Sequence, residues 1–183
     1  MLSPIGFRIA ARRLIRRFRN SRGGSAAVEF ALVAPLFFAL LFAIIETSLV
    51  FFASQSLETT LQDSARTILT GQAQMADYTK ESFKKEVVCP NASILFDCTN
   101  GIFVDVQSYS AFSGITISDP ITSGNFVDNT KYSPGGPGDI VVVRLFYQWP
   151  LFVTGLGYNI ANLNGSQRLL SATAAFKNEP YGG

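Results

Sequence analysis

From Phe30 to Ala53 the chain carries one charge, Glu46, among side chains that are mostly large and apolar. As a helix this run rises about 36 Å at roughly 1.5 Å per residue, more than a hydrocarbon core of about 30 Å. The residues in front of it are the opposite in character. Positions 1 to 24 hold seven arginines (Arg8, Arg12, Arg13, Arg16, Arg17, Arg19 and Arg22) and no acid, so the net charge of +2 conceals a remainder with 8 Lys and Arg against 13 Asp and Glu. A basic run can bind nucleic acid, but one that abuts an apolar span points to a membrane and not to nucleic acid. The other flank offers Glu58 and Asp63 against Arg66. The positive-inside rule therefore leaves the amino terminus in the cytoplasm and exports residues from about 54 onward. A cleaved secretory signal fits less well, because the apolar stretch exceeds the usual length and Phe51-Phe52-Ala53-Ser54 puts aromatics where small residues are wanted.

The junction between arginines and span reads Arg22-Gly23-Gly24-Ser25-Ala26-Ala27-Val28-Glu29-Phe30. A glycine lets the backbone enter a narrow protease cleft. A glutamate one turn into an apolar helix is costly unless a cation pairs with it, and positions i and i+4 share a helix face. The pattern resembles the type III signal of type IV pilins and pseudopilins, and the wider run from Gly24 to Leu36 resembles the TadE-like pseudopilins of tight-adherence (Flp) pilus systems. That likeness extends over about residues 22–66. Two later stretches, Tyr147 to Phe152 and Arg168 to Tyr181, are similar to the family more weakly. The resemblance implies cleavage between Gly24 and Ser25 by a prepilin peptidase, with Glu29 and Phe30 as the fifth and sixth mature residues and the Ser25 amine as the partner of Glu29. It also implies a sister pseudopilin, the inner-membrane pilus platform and the major pilin as partners.

The expected organisation is a basic leader at 1–24, a transmembrane helix at 25–53, an extramembrane helical region at 54–89 and a small β-sheet head at 90–183. Leu57, Leu61, Ala65 and Ile68 recur at helical spacing, which carries the first helix beyond the membrane, with Pro35 tolerated inside it. A short second helix follows Thr70-Gly71, with Thr79 as its cap, Phe83 and Val87 on its apolar side, and an end before Pro90. Strands are expected at 102–109, with Ile102, Val104 and Val106 buried, and at 139–149, where Val141, Val143, Leu145, Tyr147 and Trp149 alternate with residues such as Arg144 and Gln148. A third, at about 167–177, offers Leu170, Ala172, Ala174 and Phe176. An α+β fold follows, an antiparallel sheet laid on a long helix, which is also the pilin plan that the resemblance implies. Residues 113–137 read as a long exposed loop.

Little of this suggests catalysis. With no histidine, a histidine triad, histidine-ligated zinc or haem, and a histidine proton shuttle are excluded, and two cysteines cannot form a four-thiolate metal site. Ser82-Phe83-Lys84-Lys85 has the Ser-x-x-Lys spacing of penicillin-binding proteins without their companion motifs. Pro134 to Asp139 is rich in glycine but lacks the Gly-Lys-Ser/Thr ending of a phosphate loop, so no cofactor is expected. Cys89 and Cys98 both fall on the exported side, where oxidising conditions favour a disulfide, a buried pair of thiols being the alternative. The sequence thus reads as a single-pass inner-membrane pseudopilin with a periplasmic head, an assembly component and not an enzyme. The rival reading is an uncleaved signal-anchored envelope protein whose head binds a periplasmic partner.

Overall fold

The computed structural model describes residues 24–153 and 158–181. The chain divides into two compact units, Met1–Ile44 and Ile45–Gly183. The first helix, α1 (Ser25–Leu69), runs through both and continues through Pro35. In the first unit its side chains are those of a helix without a protein core around it: Phe30, Leu32, Val33, Leu36, Phe37 and Leu40 are all exposed. By length and composition α1 is able to cross a membrane.

In the second unit one stripe of α1 becomes a buried face. Val50, Ala53, Leu57, Leu61 and Ile68 enter a core shared with Phe83, Val88 and the inward residues of a sheet. With Ala65, which is also buried, these residues recur at spacings of three and four, those of an amphipathic helix, and the stripe expected from the sequence is buried throughout. Gly71 ends the helix at φ +77°. A side chain there would meet the Tyr181 ring, so the glycine supplies both the left-handed turn and the space for the carboxyl-terminal segment. That segment is also tied back by Glu179 N donating to Leu69 O at 2.9 Å.

The second helical stretch opens with α2 (Lys80–Phe83), capped by Thr79 as expected, with Ser82 completing a capping box. It does not stop before Pro90. A π-helical turn over Lys84–Val88, in which Cys89 N donates to Lys84 O, carries the helix into a last turn at Cys89–Asn91. Asn91 closes it by donating its side-chain amide to Val87 O at 2.9 Å. Helix therefore extends past the boundary at 90 read from the sequence.

The sheet has the order β1-β4-β5, with β1 (Ile102–Tyr109), β4 (Ile140–Pro150) and β5 (Gln167–Lys177) antiparallel and β4 in the middle. Val106 pairs with Val143, and Val143 with Ala174, so the expected inward residues share one face and lie on α1. The outward face of β4 is buried as well, which alternation along it did not anticipate: Ile140 to Phe146 are buried without a break. Its cover comes from the stretch read as an exposed loop. This stretch contains a small hairpin, β2 (Ile121–Thr122) and β3 (Asn125–Phe126), that brings Phe126 onto Phe103 and Phe146 at ring distances of 4.6 and 5.7 Å. Lys131 O and Ser133 N then bond Val106 along the outer edge of β1, closing an edge that would otherwise stay open.

Cys89 and Cys98 form a disulfide, Cα to Cα 5.5 Å, across a separation of nine residues. It joins the end of the second helical stretch to the turn that enters β1. Closing so short a loop stabilises by roughly 2–3 kcal/mol in the chain-entropy model. Replacing both cysteines with serine is expected to lower the unfolding free energy by about that amount, read as a lower urea midpoint, a steeper slope reporting the more open denatured chain.

Candidate functional site

Two places along α1 concentrate the residues of interest. The first is its start. Gly24 sits in a short 3-10 turn, and Ser25 is the first residue of the α-helix itself. Removing everything through Gly24 would leave the helix complete and put the new terminus at its first position. Glu29 follows one turn later, at i+4 from Ser25. Phe30 is exposed beside it. The structure thus places Gly24, Ser25, Glu29 and Phe30 at one helix end, while the seven arginines lie outside the described residues.

The second place was visible in the sequence only as the lone charge of the apolar run. Glu46 is 5% exposed. Its carboxylate accepts from the backbone N–H groups of Phe152 and Val153, the latter at 3.1 Å to Oε1 and 3.0 Å to Oε2. One residue on, Thr47 Oγ1 and the Tyr158 hydroxyl are hydrogen-bonded. These contacts clamp the segment after β4 to α1. The donors of Glu46 are main-chain groups over a hundred residues away, and main-chain donors carry no side-chain signature that a sequence could display.

The residues weighed for catalysis are occupied in other ways. Ser82 Oγ accepts from Thr79 N at 2.8 Å and donates to Thr79 O, holding the cap, while Lys85 Nζ points to Glu86 at 4.0 Å across an exposed surface. The Ser-x-x-Lys spacing therefore does not produce a serine hydrogen-bonded to a lysine. In the glycine-rich turn, Asn178 donates to Pro134 O and Gly136 O, and Tyr181 to Gly135 O, which anchors the carboxyl-terminal segment. A cleft of about 440 Å³ lies between the second helical stretch and β1. Its lysines are already engaged: Lys80 with Thr130, and Lys84 with Thr99 O at 2.9 Å, with burial holding the Lys84 ammonium below the ordinary lysine range. Among the described residues no group of three or more acidic or cysteine side chains converges to hold a metal ion.

Residues 24–66 match the family model described as TadE-like protein. The match begins at Gly24, contains Glu46, and ends at Arg66, in the last turn of α1. The resemblance carried by the Gly24 to Leu36 run is thereby matched over nearly the same span, whereas the similarities at Tyr147 to Phe152 and Arg168 to Tyr181 fall outside it. No curated protein and no solved structure matches the chain.

Proposed function

We propose that this chain is a minor pilin or pseudopilin of a tight-adherence (Flp) pilus system, cut by a prepilin peptidase between Gly24 and Ser25 and held by α1 in the inner membrane. Its leader faces the cytoplasm and its head the periplasm. The observation that carries this reading is that the family match begins at Gly24 and runs along α1, whose first residue is Ser25 and which is long and apolar enough to cross a membrane. The Cys89–Cys98 disulfide supports placing the head in an oxidising compartment. The work is assembly and not catalysis. Its partners are the peptidase, a sister pseudopilin, the inner-membrane platform and the major pilin, met in the membrane through the exposed face of α1.

Mass spectrometry of the membrane-extracted protein tests this. Cells with an active prepilin peptidase are expected to yield a chain beginning at Ser25. Gly24→Phe, which fills the space a narrow cleft reserves for a glycine, is expected to leave the precursor uncut, with mature protein reduced at least tenfold. An intact Met1 terminus in the unaltered protein would instead favour a signal-anchored envelope protein, and a cut near Ala53 a secreted one.

A further inference from the structure

The apolar surface of α1 is longer than a membrane requires. At about 1.5 Å per residue, residues 26–53 extend roughly 42 Å, against about 30 Å of hydrocarbon and about 40–45 Å with both headgroup layers. The surplus is not bare helix. Over its last turns, from Glu46 onward, the head covers one face of α1: Glu46, Val50 and Ala53 are buried there. The other face stays open and apolar, with Ile45, Leu49, Phe51 and Phe52 exposed. At the same level the clamp on Glu46 fixes the backbone of Phe152, whose side chain is 85% exposed. The head itself thus presents a large exposed apolar side chain at the level of Glu46. Tyr158, amphipathic and hydrogen-bonded to Thr47, belongs to the same edge, and such a residue suits the depth of lipid headgroups.

We infer that this edge of the head is a lipid-contacting surface: Glu46 locks the segment Leu151–Val153 onto α1 so that Phe152 enters the headgroup layer of the membrane that α1 spans. The inference rests on the membrane-anchor reading above. It places the hydrocarbon boundary near Ile45 and not at Ala53, with Phe152 and Tyr158 at headgroup depth. Glu46 suits this position for a definite reason. Its charge is satisfied by two backbone N–H donors, which lets it stand at the rim of the hydrocarbon where an unpaired carboxylate would be costly. A single phenylalanine is a weak anchor alone, so its role is to orient a head already tethered by α1.

The test uses the full chain reconstituted in phosphatidylethanolamine–phosphatidylglycerol vesicles. The only cysteines, Cys89 and Cys98, are joined in a disulfide, so a cysteine introduced at Phe152, Leu40 or Gln62 takes an environment-sensitive fluorophore at one site. Lipids carrying a nitroxide near the headgroup or near the terminal methyl then quench by depth. Phe152→Cys is expected to be quenched by the shallow nitroxide several-fold more than Gln62→Cys, and Leu40→Cys most strongly by the deep one. With Glu46→Leu, of similar size but without an acceptor, the signal at 152 is expected to fall to that of Gln62, while Leu40 is unchanged and the disulfide still resists alkylation. Quenching at Leu40 with none at Phe152 overturns the lipid contact, leaves the anchor reading intact and assigns the edge to a protein neighbour. Absence of quenching at Leu40 overturns the anchor reading itself. An unchanged signal at 152 in Glu46→Leu overturns the lock.

Discussion

Arg144→Met is expected to destabilise the head by about 3–5 kcal/mol, the cost of leaving one member of a buried ion pair without the other. Arg144 and Asp105 face each other across β1 and β4, with side chains 7% and 1% exposed. The guanidinium donates from Nε and Nη2 to Asp105 Oδ2 at 2.9 and 2.7 Å, and from Nη1 to Ser118 O at 3.0 Å. Asp105 Oδ1 accepts from Lys131 N at 2.7 Å. The pair therefore does more than satisfy itself: it pins both ends of the segment that covers the outward face of the sheet. With methionine at 144 the carboxylate keeps its donors from Lys131 and Gln107 but loses its countercharge, and Ser118 O loses its partner. Domains of this kind are stable by about 5–15 kcal/mol, so such a loss shows as a large fall in the urea midpoint. Lys177→Met, at an exposed position at the end of β5, serves as the control and is expected to stay within roughly 0.5 kcal/mol. A loss below about 1 kcal/mol in Arg144→Met would mean that the covering segment is held by the Phe103, Phe126 and Phe146 contacts alone.

That pair also marks where the sequence was informative and where it was not. The helical stripe of Leu57, Leu61, Ala65 and Ile68 and the inward residues of all three long strands were legible, because one face of each element meets one core and periodicity reports that directly. Arg144 on the other face of β4 looked like a solvent residue for the same reason. Nothing in the alternation shows that a segment rich in glycine, serine and aspartate returns to cover it, since that cover depends on a hairpin only four residues long in its strands and on one buried charge pair. Pro90 misled in a different way. A proline removes a donor and is a fair stop signal in an α-helix, but here it falls in the first positions of the last turn, after the π turn, and the helix runs two residues further, to Asn91. At the amino end the run from Gly24 was legible as a family resemblance, and the family match begins at that residue. At Glu46 the residue was legible as an anomaly, and its partners were not.

Glu29→Gln is expected to spare cleavage between Gly24 and Ser25 while reducing surface pili by at least an order of magnitude. An ionised carboxylate in the apolar part of a bilayer is unfavourable by about 3 kcal/mol on insertion scales, equivalent to more than a hundredfold in an equilibrium. It remains there only if paired or close to the headgroups. Cleavage creates the Ser25 amine four residues earlier on the same helical face, and a packed neighbour in a fibre would offer its own. A neighbour's amine makes the pairing intermolecular, so the charge sets the axial register between helices whose remaining contacts, Phe30, Leu32, Val33 and Leu36 among them, are apolar and insensitive to sliding. Glutamine keeps the size and removes that register signal. Aspartate keeps the charge with a shorter reach, so Glu29→Asp is expected to fall between the two. Mature mass, crosslinking to sister pilins and surface pili are read together in each variant. Wild-type pili and unchanged crosslinking in Glu29→Gln would mean that Glu29 reaches the cytoplasmic headgroups on its own, and the register between neighbouring helices would then have to come from side-chain shape alone.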